Sequence, residues 1–268
     1  MSNKINNKGE VLAWSMYDFA NQPFTNLVVT FIYGTFFTTV IATNEIIGTQ
    51  QWSHAVSITA IIVALLSPLM GALADKGGYR KMFMLIFTWI TIIATTVLYF
   101  VLPGEILKAL FWFVIANIGF EMGSVFCNAY LPDISHSKNI GRVSGYGWSL
   151  GYLGGLIALA LAMLFLVQTD TPIFGFGKGE AGAYENIRAT NLLVAVWFAV
   201  FSIPTFLFVK DHKPDTKAFL KNAKHTVKDF RTTAKELREY PQIMRFLIAR
   251  LVYNDGLVTI FAFGGIYA

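Results

Sequence analysis

Asn117, Glu121, Ser124 and Asn128 recur at i, i+4, i+7 and i+11 within an otherwise apolar stretch. Helical geometry puts all four on one face. Glu121 falls near the middle of that stretch. In lipid an ionised carboxylate there costs on the order of a few kcal/mol, so such groups face a bundle interior or a wet cavity. In that setting Glu121 can exchange a proton or contact a polar solute. The alternative is a packing glutamate, neutral through burial and hydrogen-bonded across the bundle. Trp14, Tyr17, Asp18, Asn21 and Thr25 also follow helical spacing, which brings an acid, an amide and two aromatic rings together. Two readings of Asp18 stand side by side: an inward binding group, or a hydrated acid near a membrane interface. Asn254 and Asp255 occupy the matching region of the last apolar stretch and carry the same two readings.

The elements that position these residues are set by composition. Of 268 residues, 55% are hydrophobic and 14% charged, against roughly 25% charged in an ordinary soluble domain. Mean hydropathy is +0.54, too apolar for one water-facing domain to hide in its core. A bilayer-crossing helix needs about 20 predominantly apolar residues. Seven stretches meet that length, at roughly 11–42, 54–74, 82–102, 109–131, 143–168, 189–209 and 244–268. The first contains Pro23 and is expected to be one kinked helix. Ten mostly polar residues precede the apolar run and no small-x-small cleavage pattern follows it, so a retained N-terminus is expected.

Charge sets the expected orientation. Eighteen of the 21 lysines and arginines fall in the N-terminal tail, the loops after spans two and four, the connector between spans six and seven, and the start of span seven. Short cytoplasmic loops carry such an excess, so the N-terminus is expected inside the cell. This placement accounts for a pI near 9.2 without a nucleic-acid partner. The single cysteine, Cys127, excludes an intrachain disulfide, and no Cys/His grouping has metal-ligand spacing. No cofactor is implied. Residues 1–209 are read as a six-helix unit, 210–242 as a basic connector and 243–268 as the first helix of a second unit. Ala13 and Tyr17 recur as Ala249 and Tyr253 at an offset of 236, as a parallel-repeat membrane protein would show. The chain reads as cut off after that helix, with five more spans expected in the same polypeptide.

Between spans two and three stands Gly71-Ala72-Leu73-Ala74-Asp75-Lys76-Gly77-Gly78-Tyr79-Arg80-Lys81. It resembles the signature loop of the major facilitator superfamily, Gly-x-Leu-x-Asp-[Arg/Lys]-x-Gly-x-[Arg/Lys]-[Arg/Lys]. A narrower resemblance covers nearly the whole chain. Trp14-x-x-Tyr17-Asp18-Phe19-Ala20-Asn21, Asn128-Ala129-Tyr130-Leu131-Pro132-Asp133-Ile134, Gly141-Arg142-Val143-Ser144-Gly145-Tyr146-Gly147-Trp148 and Arg250-x-x-Tyr253-Asn254-Asp255-Gly256 resemble the superfamily's vacuole-effluxer-like branch. The resemblance implies an all-α integral membrane fold with a six-helix N-terminal bundle and the start of a second. It implies a secondary transporter of a small solute, with amino acids one class, and no enzyme activity. Helices one and four line the superfamily's cavity, so Asp18, Asn21, Tyr17, Asn117, Glu121 and Asn128 would contact solute or protons. Gly71, Asp75, Gly78, Arg80, Asp133 and Arg142 would latch one conformational state.

Gly147, Gly151, Gly154, Gly155 and Ala158 form a small-residue face in span five, suited to close helix crossing. Gly177, Gly179 and Gly182 match a dinucleotide-binding string, but no strand precedes them. From Pro214 to Tyr240, apolar residues at helical intervals among lysines and arginines read as a basic amphipathic helix, either on anionic headgroups or in solvent. The chain lacks Gly-x-x-x-x-Gly-Lys-[Ser/Thr], His-Glu-x-x-His and Gly-x-Ser-x-Gly. A membrane sensor or scaffold is the alternative to transport, with an intramembrane enzyme behind both. A bacterial plasma membrane is the expected location.

Overall fold

The computed structural model describes residues 8–210 and 239–267. Among the described residues, seven helices are long and apolar enough to cross a membrane, and there is no strand. They are α1 (Lys8–Ile41), α2 (Glu45–Gly77), α3 (Arg80–Leu98), α4 (Ile106–Asn128), α5 (Ile140–Ala162), α6 (Glu185–Phe201) and α7 (Pro241–Tyr267). The fold is the all-α membrane bundle that the apolar stretches predict. The connector helix expected over 214–240 lies almost wholly outside the described residues.

The first span is a single helix, as expected, with π-helical stretches that spacing does not predict. Pro23 keeps helical angles, φ −55° and ψ −30°, and the helix runs on as π-helix over Phe24–Phe31 and again over Phe37–Ile41. A proline cannot donate to the carbonyl four residues back, which frees Phe19 O. The Trp197 indole N–H of α6 donates to that oxygen at 3.0 Å. A side chain from another helix thus replaces the missing backbone bond, one of the ways a proline is accommodated in a membrane.

The start of α2 lies nine residues before the expected position. Thr49, Gln50, Gln51 and Ser53 kept this segment below the apolar threshold, yet Asn44 caps it, its Oδ1 accepting the Ile47 N–H at 2.9 Å. At its other end α2 stops at Gly78, whose φ of +68° is the left-handed conformation that glycine adopts without a Cβ penalty.

Helix α1 is central and packs along α5. A Cβ at Gly154 would come within 2.9 Å of the Phe19 ring, and one at Gly147 within 2.9 Å of Trp14. The glycine face is therefore filled by α1, the close approach on which lipid-embedded packing relies. Toward the N-terminal end the core holds Trp14, Tyr17, Met84, Met122, Phe126 and Phe198. Toward the other end, Trp52 stacks on Phe113 with centroids 3.9 Å apart. There Arg188, 8% exposed, donates to the Tyr99 and Ala183 carbonyls at 2.7 and 3.0 Å. This buried arginine ties α6 to the end of α3. The glycine string forms a tight turn in which Cβ atoms at Gly177 and Gly182 would collide with each other's residue.

Candidate functional site

Helix α4 carries its polar stripe as one line, but the four members differ. Asn117 is buried, Ser124 half-buried, and Glu121 and Asn128 exposed. Asn117 and Glu121 line a cavity of about 350 Å³ together with Thr25 of α1, Thr59 of α2 and the α7 residues Val258, Phe261 and Ala262. The remaining walls are apolar, with Val29, Val56, Val63 and Phe120 among them. Glu121 is the one charged group among the described lining residues, and it has no hydrogen-bond partner among the described residues. Thr59 is 2% exposed and its hydroxyl also lacks a partner there. Sequence spacing missed Thr59 because small hydroxyls in an apolar run, here Ser57 and Thr59, by themselves signal nothing.

The α1 candidates fan out from this cavity. Asn21 is buried, and its Nδ2 donates to Ser124 Oγ of α4 at 3.4 Å, one turn from Glu121. Tyr17 is fully buried, with its hydroxyl 2.8 Å from Thr88 Oγ1 of α3 and its ring edge-on to Phe198 of α6. Trp14 donates from Nε1 to Cys127 O at 2.8 Å. Asp18 is half-buried against the glycine face of α5, where a Cβ on Gly147 would lie 2.5 Å from its Oδ2. Asp18 has no hydrogen-bond partner among the described residues. Of the α1 set, Thr25 alone is among the lining residues. On α7, Asn254 and Asp255 are exposed and stand about one turn before Val258, outside the lining.

The cavity lies beside a wedge. Residues 241–260 of α7 are exposed save Met244 and Leu257, whereas Ala262 is buried and Phe263 and Ile266 pack on the core. Thr35 Oγ1 donates to Gly265 O at 3.0 Å, and Gly265 lies directly against the Thr30 carbonyl. The two helices touch at one end and part toward the N-terminal end of α1. Beyond the contact lies a second concavity of about 940 Å³, lined by Thr38, Thr39, Glu45, Thr49, Gln50, Ser53, Thr259 and Tyr267 among others.

The loop candidates sit at the N-terminal end of the bundle. Arg80 Nη1 pairs with Asp133 Oδ2 at 2.6 Å and also donates to Ala129 O at 3.4 Å. Its guanidinium lies 5.9 Å from the Tyr130 ring centroid, within cation–π range. Lys81 Nζ donates to Val209 O at 2.7 Å, so the start of α3 holds the ends of α4 and of the α6 segment together. Gly71 has open space around it, and Arg142 is exposed at the start of α5. The Asp75 side chain lies outside the described residues. Among the described residues, no three His, Cys, Asp or Glu side chains group to hold a metal.

The family described as vacuole effluxer Atg22 like matches residues 49–268. An uncharacterized MFS-type transporter, YxiO of Bacillus subtilis, is 28% identical over 92% of this chain and 57% of its own length. Autophagy-related protein 22 of Yarrowia lipolytica is 21% identical over 78% of this chain and 46% of its own. Autophagy-related protein 22-1 of Aspergillus fumigatus is 21% identical over 92% and 50%. The chain spans about half the length of the curated relatives it matches. No solved structure matches it. A family match across most of the chain, joined to a seven-helix membrane bundle with its signature loop in place, means that the chain belongs to the vacuole effluxer Atg22-like family.

Proposed function

We propose that this chain carries the first six-helix bundle and the start of the second in a secondary transporter that moves a small solute by alternating access. The observation that carries this reading is Glu121, a carboxylate without a hydrogen-bond partner among the described residues, lining a cavity shared by α1, α2, α4 and α7. A carboxylate at that depth is costly unless it meets a proton, a cation or water. Glu121 alternates between proton and solute, which couples the solute to a proton gradient. The wedge between α1 and α7 gives the cavity its path to the N-terminal side. The Thr35–Gly265 contact closes the opposite side, and the Arg80–Asp133 pair steadies the N-terminal face in this state.

Amino acids are among the small solutes that satisfy such a site. The charge distribution and the Bacillus relative favour a bacterial plasma membrane with the N-terminus in the cytoplasm. There the basic connector would lie on anionic headgroups. The test is reconstitution of the full-length natural protein in proteoliposomes with an imposed pH gradient. Solute accumulation that collapses with the gradient, and falls at least about a hundredfold in Glu121→Gln, is the expected result. Gradient-independent leakage, or no flux of any small solute, would remove the transport reading.

A further inference from the structure

We propose that the loop between α5 and α6 is a membrane anchor, with Ile173 and Phe174 seated at the headgroup boundary of the leaflet opposite the N-terminus. Phe174 is 89% exposed, the highest value for a large apolar side chain among the described residues. Its φ of +59° lies in the left-handed region, which suits glycine and strains a bulky residue. The chain thus holds a phenylalanine outward in a backbone conformation that costs it energy. Such an outlier points to a use for the ring. The inference concerns the bilayer and not the solute, so it stands whatever the protein carries.

Ring contacts tie this tip to a lipid-facing helix. Phe174 meets Phe176 at 6.1 Å, Phe176 meets Tyr99 at 6.2 Å and Tyr99 meets Phe100 at 5.0 Å between centroids, all edge-on. Phe100 follows the end of α3, whose Met82, Ile86, Trp89 and Ile93 recur at helical spacing and are all exposed. In a bilayer such a stripe faces acyl chains. Helix α3 packs on α4 and α6, whereas α7 packs on α1, so the stripe is not turned toward α7. The loop tip extends that stripe past the end of the helix, where aromatic rings collect at a membrane surface.

The chemistry of the loop fits an interface. From Thr171 to Gly177 there is no charge, and that run is closed by Asp170 and Lys178, which are exposed and paired at 3.2 Å. Lys178 Nζ also donates to Thr169 O at 2.9 Å. These charges keep the neck of the loop in water or among headgroups while the apolar tip goes deeper. Backbone N–H groups are costly away from water. Pro172 has none, and Gly175 donates its own to Pro172 O at 3.2 Å. Behind the tip, Glu185 accepts the Gly177 N–H at 3.0 Å and the Tyr99 O–H at 2.7 Å, which fastens the loop to the end of α3 and the start of α6. The anchor therefore sets the depth at which those helices end.

Spin labels on the full-length natural protein, freed of its other cysteines and reconstituted in phospholipid bilayers, test the placement. Phe174→Cys carries the label at the tip, Phe100→Cys marks the lipid-facing stripe and Glu180→Cys marks an exposed position farther along the loop. Collision rates are read with oxygen, which concentrates in acyl chains, and with a neutral nickel chelate, which stays in water. The oxygen-to-nickel ratio at 174 should lie toward that at 100 and exceed that at 180 at least about threefold. A ratio equal to that at 180 would leave the tip in water, and low collision rates with both reagents would put it beneath another part of the protein. Either result overturns the proposal. Phe174→Trp keeps a ring and carries the test alone if the labelled variant does not fold. Its added fluorescence over the parent should be quenched more by lipids brominated near the headgroup than by iodide. Stronger quenching by iodide, or quenching by neither, overturns the anchor as well.

Discussion

Thr35 of α1 donates a hydrogen bond to the carbonyl of Gly265 of α7 at 3.0 Å, joining helices 230 residues apart in sequence. Gly265 also lies against the Thr30 carbonyl. The internal offset of 236 that aligns Ala13 with Ala249 and Tyr17 with Tyr253 carries Val29 onto Gly265. The two helices thus cross where each meets nearly its own position under that offset, the arrangement expected if they are repeats related by an axis along the membrane normal.

That crossing has no room for a side chain at 265, because a Cβ there would overlap the Thr30 carbonyl. Gly265→Leu is therefore expected to hold the contact open. In a Cys127→Ser background, a cysteine at position 25 should react with a membrane-impermeant maleimide from the side opposite the N-terminus when residue 265 is leucine. It should stay protected from that side when residue 265 is glycine. Equal labelling in both would show that the contact is not the barrier.

Arg80 and Asp133 are partly exposed, at 18% and 43% for their side chains, so their attraction is screened and contributes up to about 1 kcal/mol to folding. Asp133→Asn is accordingly expected to move the melting temperature little. Its effect belongs on the balance between conformations, because Arg80 also holds the Ala129 carbonyl at the end of α4. Transport should slow several-fold in Asp133→Asn and recover in part when Arg80→Asp is combined with Asp133→Arg. A large loss of thermal stability without a change in rate would assign the pair to folding alone.

The seven spans were legible because each is an apolar run of bilayer length, and the glycine face of span five was legible as packing because small residues recur at helical intervals. The directions of Tyr17 and Asp18 were not. Adjacent residues on a helix point about 100° apart, and on a central helix packed on several sides that angle separates α3 and α6 from α5. Spacing could group the two residues but not say which neighbour each would meet. The π-helical stretch after Pro23 was likewise hidden, since it depends on a donor from Trp197, 178 residues away. The beginning of α2 was hidden by its own polar residues, of which Thr49, Gln50 and Ser53 line the 940 Å³ concavity.

Glu105, at the turn before α4, accepts the Leu102 N–H at 2.8 Å and pairs with Lys108 at 2.9 Å. These two contacts, the backbone bond foremost, hold its carboxyl below the usual carboxylate range. A depressed folded-state pKa means that the contribution is fully present above the ordinary carboxylate pKa and is lost as pH falls through the folded value. Glu105→Gln should therefore narrow the difference in melting temperature between pH 7 and pH 3. Parallel melting curves for the parent and the variant across that range would show that the turn does not sense its charge.

Trp197 offers the sharpest test of how the proline is accommodated. Its indole N–H supplies the bond that Pro23 cannot give to Phe19 O, while its ring stacks on Phe19 at 5.3 Å. Trp197→Phe keeps an aromatic ring and removes the donor. The orphaned carbonyl should then cost about 1–3 kcal/mol, read as a lowered melting temperature in detergent. Replacing Pro23 with alanine restores a backbone N–H four residues after Phe19 and should recover much of that loss in the double variant, although alanine alone changes the parent little. Additive effects of the two substitutions would mean that Phe19 O is not where they meet, since residues sharing one acceptor must couple.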